Sequence, residues 1–216
     1  AFYLWSGRVN GGLLLGTSGF AAALSAMTGS CAASTLTTGK VGLPAMERHG
    51  HDRLFALGTI GAAGTLGILI PPSVTLIVIG MTTGLSVGRL FMGGLIAGTL
   101  VLAMIVAHVA IRAWMTPSLA PALGRSVGIG EKLGALRSVV MPLLIILSVL
   151  LTIFLGLATP TEAAAVGALA VFLAVVLRGE VNWRFIREVS HETASTTGMV
   201  IWIVFGATAF VSVYSA

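Results

Sequence analysis

The sequence predicts an all-α polytopic membrane protein. Its mean hydropathy is +1.04, and 56% of the residues are hydrophobic while only 9% are charged. Several apolar runs reach the length of about 20 residues that a membrane helix needs. The basic residues lie between these runs, so membrane topology explains the high pI better than nucleic-acid binding does. The single cysteine excludes a disulfide framework. Because the chain starts without Met and ends in apolar sequence, we expect an internal fragment of a larger membrane protein.

The first elements are the end of a helix and a helical hairpin. Residues 1–10 are aromatic and basic, as at the interfacial end of a preceding helix. Residues 11–43 are rich in Gly, Ala, Ser and Thr, with Thr28-Gly29-Ser30 at the centre. Each arm of about 15 residues spans only about 22 Å, which is less than a full crossing. We therefore predict a re-entrant hairpin, packed inside protein, with its tip at Gly29-Ser30.

A charged loop at 44–53 leads into a long apolar stretch, 54–84, that contains Pro71 and Pro72. Neither proline donates a backbone N–H, and each clashes with the carbonyl four residues earlier, so the stretch is predicted to be a broken helix at 54–70 and 73–84. Unpaired backbone groups persist at membrane depth only inside protein or along a polar cavity. The alternative is a plain kink here and a tight turn at Gly29-Ser30.

The rest of the chain alternates spans with interfacial connections. Spans are predicted at 90–111, 138–157 and 163–177, with a turn at 158–162 between the last two. Polar connections are predicted at 112–137, where 129–137 has an amphipathic pattern, and at 178–192. A final apolar run begins near Thr193. Together with an even entry and return at 11–43, this topology puts 40–53, 112–137 and 178–192 on one side.

The placement of the basic residues tests this topology. Of the twelve basic residues, only Arg89 falls on the other side. The positive-inside rule therefore makes the basic side cytoplasmic. The eleven basic residues on that side are Arg8, Lys40, Arg48, Arg53, Arg112, Arg125, Lys132, Arg137, Arg178, Arg184 and Arg187.

Two polar tips thus lie at membrane depth, Thr28-Gly29-Ser30 and Pro71-Pro72-Ser73, and they can meet near the midplane. Carbonyls of a broken helix and Ser or Thr hydroxyls suit a small hard cation such as Na⁺. Helix N-termini at Ser30 and Ser73 favour an anionic group such as a carboxylate.

Five ordered sequence blocks resemble the large membrane subunit of TRAP (tripartite ATP-independent periplasmic) transporters, across nearly the whole chain. They are MTGSCAAS (27–34), LPAMERHG (43–50), LGILIPPS (66–73), SVGRLF (86–91) and GLATPTEAAA (156–165). The resemblance implies an elevator-type transporter fold, of which this chain holds one inverted repeat and part of the second. Residues 11–84 would then belong to the transport domain. The family often has Gly-Tyr at Gly50-His51 and Pro-Gly at Ala97-Gly98, which questions closeness within the family rather than membership.

The resemblance also implies Na⁺-coupled import of a small organic acid, with no cofactor, across the bacterial inner membrane. A periplasmic binding protein would deliver the substrate, and a small membrane subunit would join the scaffold. Carried over to this sequence, the tips form half of the site. Na⁺ is assigned to Gly29, Ser30, Ile70, Pro71 and Ser73, and the substrate to Thr28, Ser30, Pro72 and Ser73.

Other polar residues have simpler interpretations. We expect Thr161 to cap a helix, with Glu162 in its first turn. His108, four residues before Arg112, is interpreted as interfacial. Cys31 is interpreted as a small buried hydrophobe. The loop histidines, His49, His51 and His191, do not suggest a metal site.

Two other functional classes remain open at this level. Gly16-Thr17-Ser18-Gly19 matches the Gly-x-Ser-Gly pattern of rhomboid-type intramembrane proteases, with His108 as the only candidate base. The pattern is weak in a chain with 28 glycines. Broken helices also line the selectivity filters of passive channels, so a channel is the other alternative.

Overall fold

The structure is a computed structural model that describes residues 10–122 and 129–214, with side chains described over these ranges except at 129–139 and 141. The chain divides into two compact units within one helix, after Ala168. The described part contains nine α-helices and a 3-10 turn at Pro117–Leu119. The helices are α1 (Gly12–Thr28), α2 (Cys31–Arg48), α3 (Arg53–Gly64), α4 (Leu66–Leu69), α5 (Val74–Thr83), α6 (Val87–Met115), α7 (Ile129–Phe154), α8 (Pro160–Leu177) and α9 (Trp183–Tyr214).

Helices α1 and α2 form a helical hairpin. Gly29 ends α1 with φ +60°, a backbone conformation that a residue with a Cβ adopts only with strain, and Ser30 caps α2 through its side chain. The two helices are antiparallel because Ser25 Oγ lies 2.9 Å from Ser34 Oγ, while Gly42 packs against Thr17 farther from the tip. The chain therefore turns at Gly29-Ser30, where the sequence predicts the tip. Whether the hairpin is re-entrant stays a prediction.

Helix α2 is longer than predicted. It continues through Pro44 to Arg48, so the charged loop predicted at 44–53 shrinks to four residues, 49–52. Pro44 removes one backbone hydrogen bond but does not end the helix, because Met46, two residues later, is fully buried in the core. Asp52 then caps α3, its carboxylate accepting the Phe55 N–H at 2.8 Å.

The apolar stretch at 54–84 is a broken helix in the structure. Helix α4 ends at Leu69 and α5 starts at Val74, with Ile70, Pro71, Pro72 and Ser73 between them. A second interruption at Thr65, which the sequence analysis did not predict, separates α3 from α4. The double proline therefore breaks the helix at the predicted position.

The later helices are more continuous than predicted. Helix α7 joins the interfacial segment predicted at 129–137 to the following span, and α9 joins 183–192 to the last apolar run. The backbone contains no break at either junction, and Pro142 lies inside α7 without ending it. Helix α6 extends the span predicted at 90–111 at both ends. The predictions for residues 1–9 and 123–128 lie outside the described residues.

Four helical segments in the described part are long and apolar enough to cross a membrane: Arg53–Thr83, Val87–Met115, Pro160–Leu177 and Trp183–Tyr214. The first of these includes the break at 70–73. Two hydrophobic cores hold the first unit together. One packs α1 against α2, α3 and the end of α6, and the other packs the start of α6 against α7 and the start of α8.

The loop between α2 and α3 is held by the segment after α6. The Asp52 N–H donates to Leu119 O at 2.9 Å, and the Gly11 N–H donates to Ala120 O at 2.8 Å. His51 lies in this loop and is 5% exposed, with both ring nitrogens unpaired in the described part of the chain. Burial lowers the pKa of His51.

This burial predicts that acid destabilises the protein through His51. The unfolded chain binds a proton near pH 6.5, whereas the folded chain binds it only at lower pH. The contribution of neutral His51 to the free energy of unfolding is therefore fully present above pH 6.5 and declines as the pH falls below that value. In His51→Phe the decline should be shallower, as measured by thermal unfolding of the full-length protein in detergent between pH 7.5 and 5.5. His191→Phe, at an exposed histidine, should keep the wild-type decline. A His51→Phe protein with the full wild-type decline would contradict the assignment.

Candidate functional site

The structure brings the two polar tips into direct contact. A methyl group added at Gly29 would lie 2.9 Å from the Pro72 carbonyl oxygen and 3.6 Å from the Ser73 Cα. At 2.9 Å such a contact would force the backbone to shift. Gly29 thus has two reasons to be glycine, its positive φ and the closeness of the break.

A second glycine brings α4 against the hairpin tip. A methyl group at Gly67 would lie 2.8 Å from both the Ser30 carbonyl carbon and the Cys31 nitrogen. Beside it, the Cys31 thiol lies 3.4 Å from Thr65 O, to which it donates a weak hydrogen bond. Gly67 and Thr65 are not among the residues that the sequence predicts for the site. The signal that could have found them is the glycine pair Gly64 and Gly67 on one side of the broken helix.

Helix α6 supports the break through two further glycines. A methyl group at Gly94 would lie 2.6 Å from Leu69 O, and one at Gly98 would lie 2.8 Å from Ile70 Cγ1. These glycines are one turn apart and face the end of α4. The hairpin tip and α6 therefore both pack against the break.

The break leaves several backbone groups without helical partners. Pro71 and Pro72 have no N–H, so the carbonyls of Gly67 and Ile68 lack the donors that a continuous helix would supply. In α5 the first intrahelical bond runs from Ile77 N to Ser73 O, which leaves the N–H groups of residues 74–76 free of helical acceptors. The site thus offers carbonyl oxygens and N–H groups within a few residues of each other.

A second helix start lies at the same place. Helix α2 makes its first backbone bond from Ser34 N to Ser30 O, so the N–H groups of residues 31–33 have no helical acceptor. The Ser30 hydroxyl accepts weakly from Ala33 N at 3.5 Å. Because Gly29 contacts Ser73, the positive ends of the α2 and α5 dipoles are close to each other and together favour a negative ligand.

The environment of the Ser73 side chain sets it apart from the other predicted site residues. It is fully buried, and its hydroxyl has no hydrogen-bond partner in the described part of the protein. It caps α5 in an extended backbone conformation without using its side chain. A buried hydroxyl left unpaired costs roughly 1–3 kcal/mol, so such groups usually face a partner.

The other predicted site residues differ in exposure. Pro71 is buried, whereas Ile70, Pro72 and Ser30 are half-buried. Thr28 is exposed, and its hydroxyl donates to Leu24 O at 2.9 Å. Among the predicted site residues, Thr28 therefore has a hydroxyl that already donates a hydrogen bond within its own helix.

The two segments that carry the tips contribute no formal charge. Residues 11–39 and 54–84 include no Asp, Glu, Lys or Arg. Within the described residues there is no group of three or more His, Cys, Asp and Glu that could hold a metal ion. The oxygens that these two segments offer are backbone carbonyls and hydroxyls.

The serine proposed as a protease nucleophile has another role. Ser18 is buried, and its hydroxyl donates to Leu14 O, one helical turn away, at 3.0 Å. The candidate base, His108, is exposed, and its ring contacts Phe55 with centroids 6.2 Å apart. The hydroxyl thus bonds its own helix, as serines in membrane helices do.

The turn before α8 is a capping box, but with a different capping residue from the one predicted. Helix α8 begins at Pro160, so the N-cap is Thr159 and not Thr161. The Glu162 carboxylate accepts the Thr159 N–H at 2.8 Å, and the Glu162 N–H donates to the Thr159 hydroxyl at 3.3 Å. Pro160 occupies the first helical position, which proline favours, so the cap is the residue before it.

Comparison with known proteins gives one family over the whole chain. The family described as "Tripartite ATP-independent periplasmic transporter, DctM component" matches residues 2–216. A C4-dicarboxylate TRAP transporter large permease of Pseudomonas aeruginosa is 32% identical over 96% of this chain and 48% of its own length.

Relatives with other substrates in their names are similar to comparable extents. A sialic acid large permease of Vibrio cholerae is 34% identical over 86% of this chain and 43% of its own length. An isethionate permease of Oleidesulfovibrio alaskensis is 30% identical over 94% of this chain and 32% of its own length. The chain thus spans about half the length of the curated relatives that it matches, or less. These relatives are transporter permeases and not enzymes.

The close contact at Gly67 predicts a sharp difference between two glycines of the broken helix. Gly67→Ala puts a methyl group against the Ser30 and Cys31 backbone and should lower stability by about 1–3 kcal/mol. Gly61→Ala, where a Cβ meets nothing within 4 Å, should be neutral or stabilising. Thermal unfolding of both full-length variants checks this. Equal stability of the two would contradict the tip contact.

Proposed function

The chain belongs to the DctM-component family of tripartite ATP-independent periplasmic transporters, and we propose on this premise that it imports a small organic anion together with Na⁺. The observation that carries the proposal is the buried, unpaired Ser73 hydroxyl at the contact between hairpin tip and helix break. As in the relatives, the chain would be part of the large permease of a secondary transporter. Its remaining half of the site would lie in the sequence beyond these 216 residues.

Na⁺ would bind where carbonyl and hydroxyl oxygens converge. The Ser73 hydroxyl offers a buried acceptor, and the tip backbone at Gly29 and Ser30 supplies further oxygens beside it. The carbonyl oxygens of Ile70 and Pro71 are the remaining proposed Na⁺ ligands, because no regular helix continues past them. A bound cation would satisfy the hydroxyl that the protein leaves unpaired.

The substrate carboxylate would bind at the two helix starts. The free N–H groups at the beginning of α2 and α5 favour an anion, and Thr28, Ser30, Pro72 and Ser73 surround them in sequence. Because no Lys or Arg lies in this part of the chain, the bound Na⁺ would supply the compensating positive charge. Anion binding would therefore depend on Na⁺, which is the physical basis for coupling.

The substrate is proposed only as a class. The relatives are named for C4-dicarboxylates, sialic acid and isethionate, which are all organic anions. The proposed partners are a small TRAP membrane subunit and a periplasmic binding protein that delivers the substrate. The proposed setting is the bacterial inner membrane with the basic loops in the cytoplasm, and the proposed motion is an elevator movement of the hairpin and broken helix.

Removing the unpaired hydroxyl should weaken Na⁺ binding. We expect Ser73→Ala to lower the apparent Na⁺ affinity about ten-fold, equivalent to 1.4 kcal/mol. Uptake into proteoliposomes that contain the full-length permease, its small subunit and its binding protein measures this across a range of Na⁺ gradients. Thr83→Ala is the matched control, since Thr83 lies on the same helix but is exposed and its hydroxyl donates to Ile79 O at 2.6 Å.

Two outcomes would overturn this function. Uptake that ignores the Na⁺ gradient would exclude the coupling, and full uptake in the Ser30→Ala, Ser73→Ala double variant would exclude the site. Flux that continues without the binding protein would instead indicate a passive channel.

A further inference from the structure

Two buried serines join the arms of the hairpin just behind its tip. Ser25 Oγ on α1 lies 2.9 Å from Ser34 Oγ on α2, and both side chains are fully buried. The Ser34 hydroxyl also donates to Ala21 O at 3.1 Å. A serine hydroxyl carries one hydrogen, so Ser34 Oγ must accept the hydrogen of Ser25. The hydrogen bonds therefore run from Ser25 to Ser34 and back to the α1 backbone.

This pairing differs from the bonding of other hydroxyls on the same helix. A serine or threonine on a helix commonly donates to the carbonyl one turn earlier. Thr17 does so to Leu13 O at 2.8 Å, and Ser18 does so to Leu14 O at 3.0 Å. The hydrogen of Ser25 crosses to the other arm instead, so its bond links two helices.

The same two serines hold the tip through their backbones. The Gly29 N–H donates to Ser25 O at 2.9 Å, and the Ser34 N–H donates to Ser30 O at 3.1 Å. Each serine is therefore one backbone hydrogen bond away from a tip residue that is proposed to bind Na⁺. A shift of one arm against the other would move Gly29 relative to Ser30.

Other interactions between the arms are farther from the tip or weaker. The apolar core packs the arms together at the opposite end of the hairpin, at Leu14 and Met46. Within the tip, Thr28 Oγ1 lies 3.4 Å from both the nitrogen and the carbonyl oxygen of Ser30, which is long for a hydrogen bond. The 2.9 Å bond between the two serines is therefore the stronger constraint on the spacing of the arms beside the tip.

We propose that Ser25 and Ser34 are positioning residues for the Na⁺ site, an inference that rests on the proposed function. Their bond fixes the spacing of the arms and keeps the tip backbone at Gly29 and Ser30 beside Ser73 before the ion arrives. Neither serine touches Na⁺ in this arrangement, because their hydroxyls bond each other behind the tip. Such preorganisation matters, since the apparent affinity falls in proportion to the fraction of molecules whose site is competent.

Na⁺ titration of uptake by Ser25→Ala and Ser34→Ala tests the proposal, in proteoliposomes with the full-length permease, its small subunit and its binding protein. Each variant should lower the apparent Na⁺ affinity roughly five-fold, which corresponds to a competent tip in about one fifth of the molecules. The maximal rate at saturating Na⁺ should stay within about two-fold of the wild type, because saturating ion selects the competent tip. A purely structural role would instead lower the maximal rate and leave the affinity unchanged.

The double variant Ser25→Ala, Ser34→Ala tests whether the two serines act through their shared bond. Its loss of affinity should match that of the single variants, because each single substitution already breaks the same bond. A loss equal to the product of the two single losses would contradict the shared bond.

The matched control is Ser18→Ala. Ser18 is equally buried on the same helix, but its hydroxyl donates within α1, so this variant should keep the wild-type Na⁺ affinity. Thermal unfolding shows that each variant is folded. Unchanged Na⁺ affinity in both single variants, or an equal loss in Ser18→Ala, would overturn the positioning role and leave the Na⁺ coupling intact. Wild-type uptake that ignores the Na⁺ gradient would instead overturn the proposed function, and the positioning role with it.

Discussion

The approach of the hairpin tip to the helix break is the contact on which the rest of this unit depends. At Gly29 and Gly67 one backbone lies against another with no room for a side chain. Two glycines of α6 bring a third backbone to the other end of α4. This close packing encloses backbone groups that would be prohibitively exposed in hydrocarbon. It also explains how the chain accommodates two helix interruptions within 31 residues.

Local sequence signals were sufficient to locate the two tips. Gly29-Ser30 combines a residue that accepts positive φ with a good N-cap, and Pro71-Pro72 removes two consecutive donors. Their contact followed from the length of the hairpin arms and the depth of the break. The unpaired state of Ser73 could not be predicted, because it depends on which groups the folded chain places around it. The role of Gly67 was missed for the same reason, since one glycine in an apolar helix is common.

The ends of helices were harder to predict than their existence. Pro44 and the charges after it suggested a loop, but burial of Met46 extends α2 past the proline. The amphipathic segments before the spans in α7 and α9 suggested separate interfacial helices. Amphipathicity reports which surface a segment faces and does not show where a helix begins or ends. The capping residue of α8 was misplaced by two positions, because the helix begins at Pro160 and Thr159 precedes it.

The absence of protein charge around the tips has an electrical consequence. This half of the site contributes only dipoles, so within this half the membrane voltage would act on the bound ions and not on protein charges during the proposed transport cycle. Each net elementary charge that crosses gains or loses about 2.3 kcal/mol per 100 mV. One Na⁺ carried with one monocarboxylate would cross without electrical work, whereas every additional Na⁺ would let the cell's voltage drive accumulation. The ion stoichiometry would then determine how strongly the substrate is concentrated.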